Sequence, residues 1–165
     1  MRFLCPIQRR ILVISKTYRL FAVLAMILAR ALLASPSSAQ TLVVPLNIDG
    51  PRIFVHVLVN GKHAVFLLDT GSGITLVEPR FAKGTAELKR VDIEQAAGIS
   101  KASIRRLSVT LGGITIKDSI VGVLGMEGLN KELGMKLDGV LGEDILCRFR
   151  AVRINFKDKT LELEP

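Results

Sequence analysis

The most informative segment of this 165-residue chain reads VFLLDTGSGI at residues 65–74. The apolar residues 65–68 have the length of a buried strand, and Gly71 and Gly73 predict a sharp break after it. Asp69 stands where that strand ends. A carboxylate at the end of a buried strand is costly unless it is hydrogen-bonded or used chemically. By itself the segment fits either a turn that closes a strand or a reactive loop, and the rest of the chain has to decide.

The first 39 residues have the order of a secretory signal. A basic stretch between Arg2 and Arg19 precedes the uninterrupted apolar run Leu20–Ala29, and small residues lead up to Ala39. The apolar run is well short of the roughly 20 residues that a membrane span needs. We therefore predict that residues 1–39 are a signal peptide cut after Ala39, with an uncleaved membrane anchor as the alternative. Either way the protein is expected to be exported, to the periplasm or to the outer face of the inner membrane.

The net charge changes once this leader is set aside. The whole chain carries +8, from 23 Lys and Arg against 15 Asp and Glu. Six of the basic residues and none of the acidic ones lie in residues 1–39, so residues 40–165 carry 17 minus 15, or +2. The remaining charges are scattered along the chain rather than clustered. No nucleic-acid partner is therefore expected.

Cysteine and histidine give no sign of a metal or cofactor site. Cys5 lies in the leader, which leaves Cys147 alone in residues 40–165, so no disulfide can form within that part. Apolar neighbours such as Phe149 predict that Cys147 is a buried, inert thiol. His56 and His63 lack the spacing and the companion ligands of a metal site. We expect no metal and no cofactor.

Strand patterns dominate residues 40–165. Asn60-Gly61 between two apolar runs is the strongest short-range hairpin signal, which places Asp69 at the far end of the hairpin's second strand. Residues 85–103 fit either an exposed loop or the tip of a hairpin over a cleft, and residues 128–135 fit a loop or a short helix. A helix is predicted after Gly142, with acidic residues in its first turn and Arg148 and Arg150 near its end. The predicted strands cover approximately residues 42–48, 52–59, 63–68, 74–77, 107–111, 114–116, 120–124, 140–141, 152–156 and 160–164.

The order of these motifs resembles that of the bacterial retropepsin-like aspartic proteases over roughly residues 41–165. The Asn-Gly hairpin, the apolar-Asp-Thr-Gly-Ser segment, the Gly112-Gly113 hairpin, LDGVLGEDIL at residues 137–146 and a closing hairpin follow one another as in that family. The resemblance implies an all-β fold, a closed single-lobe barrel of the acid protease type with one short C-terminal helix. Residues 40–165 would form one domain.

The resemblance also implies roles for the residues of the Asp-Thr-Gly-Ser segment. Asp69 would be the catalytic aspartate, and Thr70 would cross-link two catalytic loops by hydrogen bonds. Gly71 would let the loops approach each other, and Ser72 would hydrogen-bond the aspartate. Asp138, in the second family motif, is expected to be a turn residue before a glycine rather than a catalytic group.

The chemistry of this family requires two carboxylates. A pair about 3 Å apart shares one proton, so that one acts as base on a water and the other as acid. The chain contains a single Asp-Thr-Gly and no internal repeat, so two copies of Asp69 around a two-fold axis would have to supply the pair. The terminal segments Leu42–Pro45 and Leu161–Leu163 are expected to be unpaired edges that invite pairing with another chain. The resemblance implies that these segments interleave between subunits.

Two functions remain open at this stage. The first is an aspartic endopeptidase that acts on protein or peptide substrates as a homodimer. The second is a catalytically silent β-barrel of the same fold that binds a peptide or a partner protein.

Overall fold

The computed structural model describes residues 40–95 and 98–165 of the chain, with the side chain of Gln95 left out. The signal peptide or anchor predicted for residues 1–39 lies outside the described residues. Within the described part, no helix combines the length and the apolar character needed to cross a membrane.

The described residues are mainly strands, which confirms the all-β prediction. The chain also forms a 3₁₀ turn at Pro79–Phe81 and two helices, α1 (Glu127–Leu133) and α2 (Glu143–Leu146). Helix α1 therefore occupies the segment that fitted a loop or a short helix. The strands are β1 (Leu42–Asp49), β2 (Arg52–Val59), β3 (Lys62–Leu68), β4 (Leu76–Val77), β5 (Glu87–Gln95), β6 (Gly98–Leu111), β7 (Ile114–Val123), β8 (Gly139–Leu141), β9 (Ala151–Asn155) and β10 (Thr160–Glu164).

Within the described residues these strands form one ten-stranded sheet in the order β5-β6-β7-β4-β8-β3-β2-β1-β10-β9. Strand β2 also pairs with β6, through Leu58 opposite Thr110 and Val59 opposite Val109. In that order β7, β4, β8 and β3 lie between β6 and β2. The direct pairing of β2 with β6 therefore joins these six strands into a ring. The arrangement agrees with the barrel that the resemblance implies.

The Asn60-Gly61 hairpin is confirmed and sets the position of Asp69. Asn60 and Gly61 have φ values of 49° and 77°, which are the positive angles of the tight turn that joins twisted strands. The Asn60 side chain accepts a 3.0 Å hydrogen bond from the Ser108 N–H and donates a 3.1 Å bond to the Phe81 carbonyl. The turn is thus tied to β6 and to the 3₁₀ turn. Its pairing register fixes where β3 ends and where Asp69 begins the next loop.

The interpretation of residues 85–103 as an exposed loop is wrong, because they contribute to a long hairpin. Strand β5 pairs with β6 from Glu87 opposite Arg105 to Gln95 opposite Gly98. Among the β5 side chains that the structure describes, only Val91 and Ile93 are half-buried, and the others are exposed. Because only these two apolar residues alternate with polar ones, the alternating pattern that marks a half-buried strand is too short to be recognised in the sequence here.

The terminal strands differ from the prediction of unpaired edges, and their interleaving between subunits stays a prediction. Leu42–Pro45 pairs with Leu163–Thr160 of the same chain, and β10 pairs on its other side with β9. The prediction that these two segments are unpaired is therefore wrong for the described chain. Strand β1 pairs with two different strands: its first half pairs with β10, and its second half, from Leu46 onward, pairs with β2. In the strand order the edges belong to β5 and β9.

Two expectations about the last helix are also wrong. Helix α2 ends at Leu146, so Arg148 and Arg150 lie beyond it, and the Arg150 guanidinium instead pairs with a Glu164 carboxylate oxygen at 2.5 Å. Cys147 is exposed rather than buried. The apolar neighbours Ile145, Leu146 and Phe149 do face the core, but the turn after α2 puts Cys147 on the outside of the same short segment.

The core has a main part inside the barrel and a smaller part below the Asp-Thr-Gly-Ser loop. In the smaller part Leu76, Met126 and Val140 are buried against one another, and Leu67, Ile74, Ile93, Leu124 and Leu129 pack around them. This cluster joins the barrel wall, the β5–β6 hairpin and α1. It therefore holds the three structural elements that surround Asp69.

Candidate active site

Asp69 begins the loop directly after β3, and backbone groups fix its position. Its N–H donates a 3.0 Å hydrogen bond to the Leu141 carbonyl of β8. Its carboxylate oxygen Oδ1 accepts a 2.8 Å bond from the Gly71 N–H, and the Ser72 N–H lies 3.2 Å from the Asp69 carbonyl oxygen. Asp69 is exposed. The loop therefore presents an oriented carboxylate to solvent instead of burying it.

The three residues that follow Asp69 differ in exposure and in their contacts. Thr70 is exposed at the loop tip, and its cross-link to a second loop stays a prediction. Gly71 lies so close to Asp69 that a Cβ there would approach the carboxylate oxygen to 3.3 Å. The Ser72 hydroxyl donates a 2.8 Å hydrogen bond to the Ile74 carbonyl. This differs from the contact with the aspartate that the resemblance implies, because the hydroxyl folds back onto its own loop.

Strand β8 supports this loop from beneath. It lies between β3, with which it is parallel, and β4, with which it is antiparallel, so the loop passes around its end. Gly142 follows β8 where a Cβ would meet the Ser72 carbonyl oxygen at 2.7 Å and the Ile74 carbonyl carbon at 2.8 Å. Those contacts are with backbone and cannot be relieved by a side-chain rotation. Only glycine allows β8 to approach the loop this closely.

Thr75 ties the loop to α2 and was not predicted to do so. Its side chain is fully buried, and its Oγ1 accepts a 3.0 Å hydrogen bond from the Gly142 N–H and donates a 2.7 Å bond to Asp144 Oδ1. The Glu143 N–H donates a 2.9 Å bond to the Ser72 carbonyl. The only sequence signal was a polar residue, Thr75, inside an apolar strand pattern.

Asp138 is more than the turn residue that was expected. It is buried, with 7% of its surface exposed. Its carboxylate accepts a 3.0 Å hydrogen bond from the Val65 N–H and pairs with the Arg80 guanidinium at 2.5 Å. The Asp138 N–H in turn donates a 2.9 Å bond to the Val65 carbonyl. Asp138 therefore fastens the start of β8 to β3, and it lies outside the cleft that contains Asp69.

A cleft of about 350 Å³ opens beside Asp69. The loop, the barrel, the β5–β6 hairpin and α1 all contribute to it. Glu94 from β5 and Leu129 and Glu132 from α1 belong to its walls, although nothing in the sequence pattern pointed to them. Its lining residues are Leu67, Asp69, Gly71, Ser72, Leu76, Ile93, Glu94, Gly128, Leu129, Glu132 and Val140. Among the described residues, no group of three or more His, Cys, Asp or Glu side chains is arranged to hold a metal ion.

Comparison with known protein families gives a match over the segment that builds this site. The family model described as aspartyl protease matches residues 55–145. The chain belongs to the aspartyl protease family. Within that family it is similar to a solved structure, a retropepsin-like aspartic protease from Rickettsia conorii, with 25% identity. The similarity covers 75% of this chain and 89% of that one, with a TM-score of 0.53.

These findings place the chain among the bacterial retropepsin-like proteins. The family match includes the hairpin after Val55, the Asp69 loop, the β5–β6 hairpin, α1 and β8. Comparison with curated protein sequences gives no match. The family and the fold predicted from the sequence are thus confirmed.

Proposed function

We propose that this retropepsin-like protein is an aspartic endopeptidase that acts as a homodimer on protein or peptide substrates. The observation that carries the proposal is the exposed Asp69 carboxylate, held by the Gly71 N–H at the side of a cleft about 350 Å³ in volume. A carboxylate that is oriented and open to a cleft can accept a proton from a bound water. A carboxylate that only closed a turn would have no need of the surrounding cavity.

The reaction would use one Asp69 from each subunit. The ionised carboxylate takes a proton from a water, whose oxygen attacks the peptide carbonyl carbon, while the protonated carboxylate gives its proton to the carbonyl oxygen. Collapse of the resulting gem-diol breaks the C–N bond, and the amine nitrogen leaves with a proton from the pair. No cofactor is needed, because the two carboxylates carry every proton that moves.

A groove beside the Asp69 loop offers a binding surface for a second copy of the chain. Thr70 lines a shallow groove together with α2 and β9, formed by residues that include Leu146, Cys147 and Val152. Strand β9 is an edge of the sheet, and Val152 is 36% exposed although it is apolar. An apolar groove next to a strand edge can accept another chain. We place the dimer contact on this face, instead of on the terminal strands that pair within one chain.

The leader gives the proposed location. Residues 1–39 would direct export, as a signal peptide cut after Ala39 or as an uncleaved anchor. The domain formed by residues 40–165 would then work in the periplasm or at the outer face of the inner membrane.

The deciding experiment compares the wild type with Asp69→Asn in a proteolysis assay at mildly acidic and at neutral pH. Asn keeps the size of Asp and can still accept a hydrogen bond from Gly71, but it cannot take or share a proton. The matched control is Asp118→Asn, because Asp118 is an exposed carboxylate in a bulge of β7 with a φ of 53°, which Asn also tolerates.

Loss of activity in Asp69→Asn alone, with an unchanged circular dichroism spectrum, supports the proposal. Equal activity in both variants and the wild type would contradict it. If the wild type binds peptides in this cleft without cutting them, the catalytically silent binding module becomes the better description.

A further inference from the structure

All the charged residues that line the cleft beside Asp69 are acidic. They are Asp69 itself, Glu94 on β5 and Glu132 on α1, and no Lys or Arg of the described residues lines the same cavity. Residues 40–165 as a whole carry a net charge of +2. The charge of the cleft lining is therefore negative, whereas the net charge of residues 40–165 is positive. A concave surface lined by one sign of charge raises the local concentration of oppositely charged ligands.

Neither Glu94 nor Glu132 is neutralised by a cation of the described chain. The ion pairs in this part of the chain use the carboxylates of Asp138, Glu87, Glu162 and Glu164. Both cleft glutamates are exposed. Their charges are thus available to a substrate.

The two glutamates stand beside an apolar floor. Leu129 precedes Glu132 by three positions on α1, so both side chains lie on the helix face that lines the cleft. On β5, Ile93 directly precedes Glu94 and packs with Leu76 and Val140 at the floor. The α1 wall therefore offers an apolar contact with a carboxylate next to it, and on β5 Ile93 and Glu94 both line the cleft. Successive residues of an extended peptide advance by about 3.3 Å, so neighbouring substrate residues can reach both kinds of contact.

We propose that Glu94 and Glu132 make this cleft select peptides in which a large apolar residue is followed or preceded closely by Lys or Arg. The inference rests on the proposed endopeptidase function and specifies its substrate class. The apolar side chain packs on the floor, and the basic side chain pairs with a carboxylate of the wall. Acidic peptides are disfavoured by like-charge repulsion from the same two side chains.

The test uses three fluorogenic peptides that share one apolar core and differ at a single flanking position, which is Lys, Gln or Glu. We expect kcat/KM to fall in the order Lys, Gln, Glu, by about threefold to tenfold per step, because ion pairs open to solvent are individually weak. The differences should shrink at high salt, since exposed charges are screened. Scanning the variable position along the peptide finds which side of the scissile bond carries the preference.

Variants assign the preference to its residues. Glu94→Gln and Glu132→Gln should each lower the Lys-to-Gln ratio of kcat/KM, and Glu132→Lys should shift the preference toward the Glu peptide. The control is Glu127→Gln on the same helix, because Glu127 lines a different concavity that also contains Arg80 and Lys131. The control should keep the wild-type ratio.

Equal kcat/KM for the three peptides would overturn this inference and leave the endopeptidase proposal intact. A wild type that cuts none of them would instead contradict the endopeptidase proposal. In that case fluorescence anisotropy measures how tightly the same peptides bind, which tests the charge preference of the cleft without any cleavage. Tighter binding of the Lys peptide that is lost in the Glu94→Gln, Glu132→Gln double variant supports it, and equal or absent binding overturns it.

Discussion

Thr75 Oγ1 donates a 2.7 Å hydrogen bond to Asp144 Oδ1 across 69 positions of sequence. The same oxygen accepts the Gly142 N–H at 3.0 Å. One buried hydroxyl thus joins the loop that carries Asp69 to the segment between β8 and α2. Because this hydroxyl both donates and accepts, a side chain of similar size without a hydroxyl leaves at least one of the two partners unsatisfied.

Thr75→Val should therefore destabilise the fold and lower activity. Valine has the shape of threonine, but it leaves the buried Gly142 N–H without its acceptor, a loss of about 1–3 kcal/mol in the free energy of unfolding. Urea unfolding followed by circular dichroism measures it. Thr115→Val is the control, because Thr115 is an exposed residue whose hydroxyl contacts Thr110 at 2.9 Å, and its replacement should cost at most about 0.5 kcal/mol. Equal effects of the two substitutions would contradict the role given to Thr75.

Asp138→Ala should cost more stability than Arg80→Gln. The first removes both the acceptor of the half-buried Val65 N–H at 3.0 Å and the partner of Arg80, so it should lower the free energy of unfolding by about 1–3 kcal/mol. The second leaves that acceptor in place and removes a cation whose side chain is 51% exposed, so water can replace part of the contact that the Asp138 carboxylate loses. Denaturant unfolding of both variants gives the comparison. A larger effect of Arg80→Gln would show that the ion pair, rather than the strand contact, is the main contribution of Asp138.

Asp69→Asn should lower proteolytic activity by several orders of magnitude while the free energy of unfolding changes little. Asp69 is exposed and its carboxylate contacts the Gly71 N–H of its own loop, a contact that an Asn amide oxygen can also make. Single-turnover assays and a urea titration measure the two effects. Loss of activity through unfolding would instead show that Asp69 is a structural residue.

Subunit mixing tests the shared pair of carboxylates. Excess Asp69→Asn chains added to wild type should suppress activity beyond dilution, because a mixed dimer has one carboxylate where the reaction needs two. Activity of the wild type alone should rise more steeply than in proportion to protein concentration near the dimer dissociation constant. A preparation that sediments as a monomer and keeps full pepstatin-sensitive proteolysis would contradict the dimer.

The leader predicts the N-terminus of the native protein. Sequencing should begin at or near Gln40 in an extracytoplasmic fraction, because the small residues up to Ala39 have the pattern of a signal-peptide cut site. An intact Met1 in the membrane fraction would favour the anchor. An intact Met1 in the cytosol would contradict export.

The parts of the fold that the sequence predicted are those set by local chemistry. Asn60-Gly61 favours one turn type whatever surrounds it, and four apolar residues before Asp69 specify a buried strand. These two facts were enough to place Asp69 at the end of a hairpin. The retropepsin-like fold and the family followed from the resemblance that the order of such motifs carries.

What the sequence did not show depends on contacts between distant segments. The partner of Asp138 is a backbone N–H 73 positions away, which no local pattern reveals. The placement of Glu132 in the cleft depends on how α1 packs on the Leu76 cluster. Cys147 was misplaced because three apolar neighbours suggested burial, whereas a short helix followed by a turn exposes one residue among them.

The long sequence separation of these contacts also bears on when the site forms. A chain that has been synthesised as far as residue 75 already contains Asp69 and its hairpin, yet Gly142, Asp144 and the β8 strand that hold the loop are still to come. Contacts between distant segments form late, because closing the chain between them costs entropy first. The loop can therefore adopt its working geometry only after nearly the whole domain has emerged, and an incomplete chain presents no ordered site during its own synthesis.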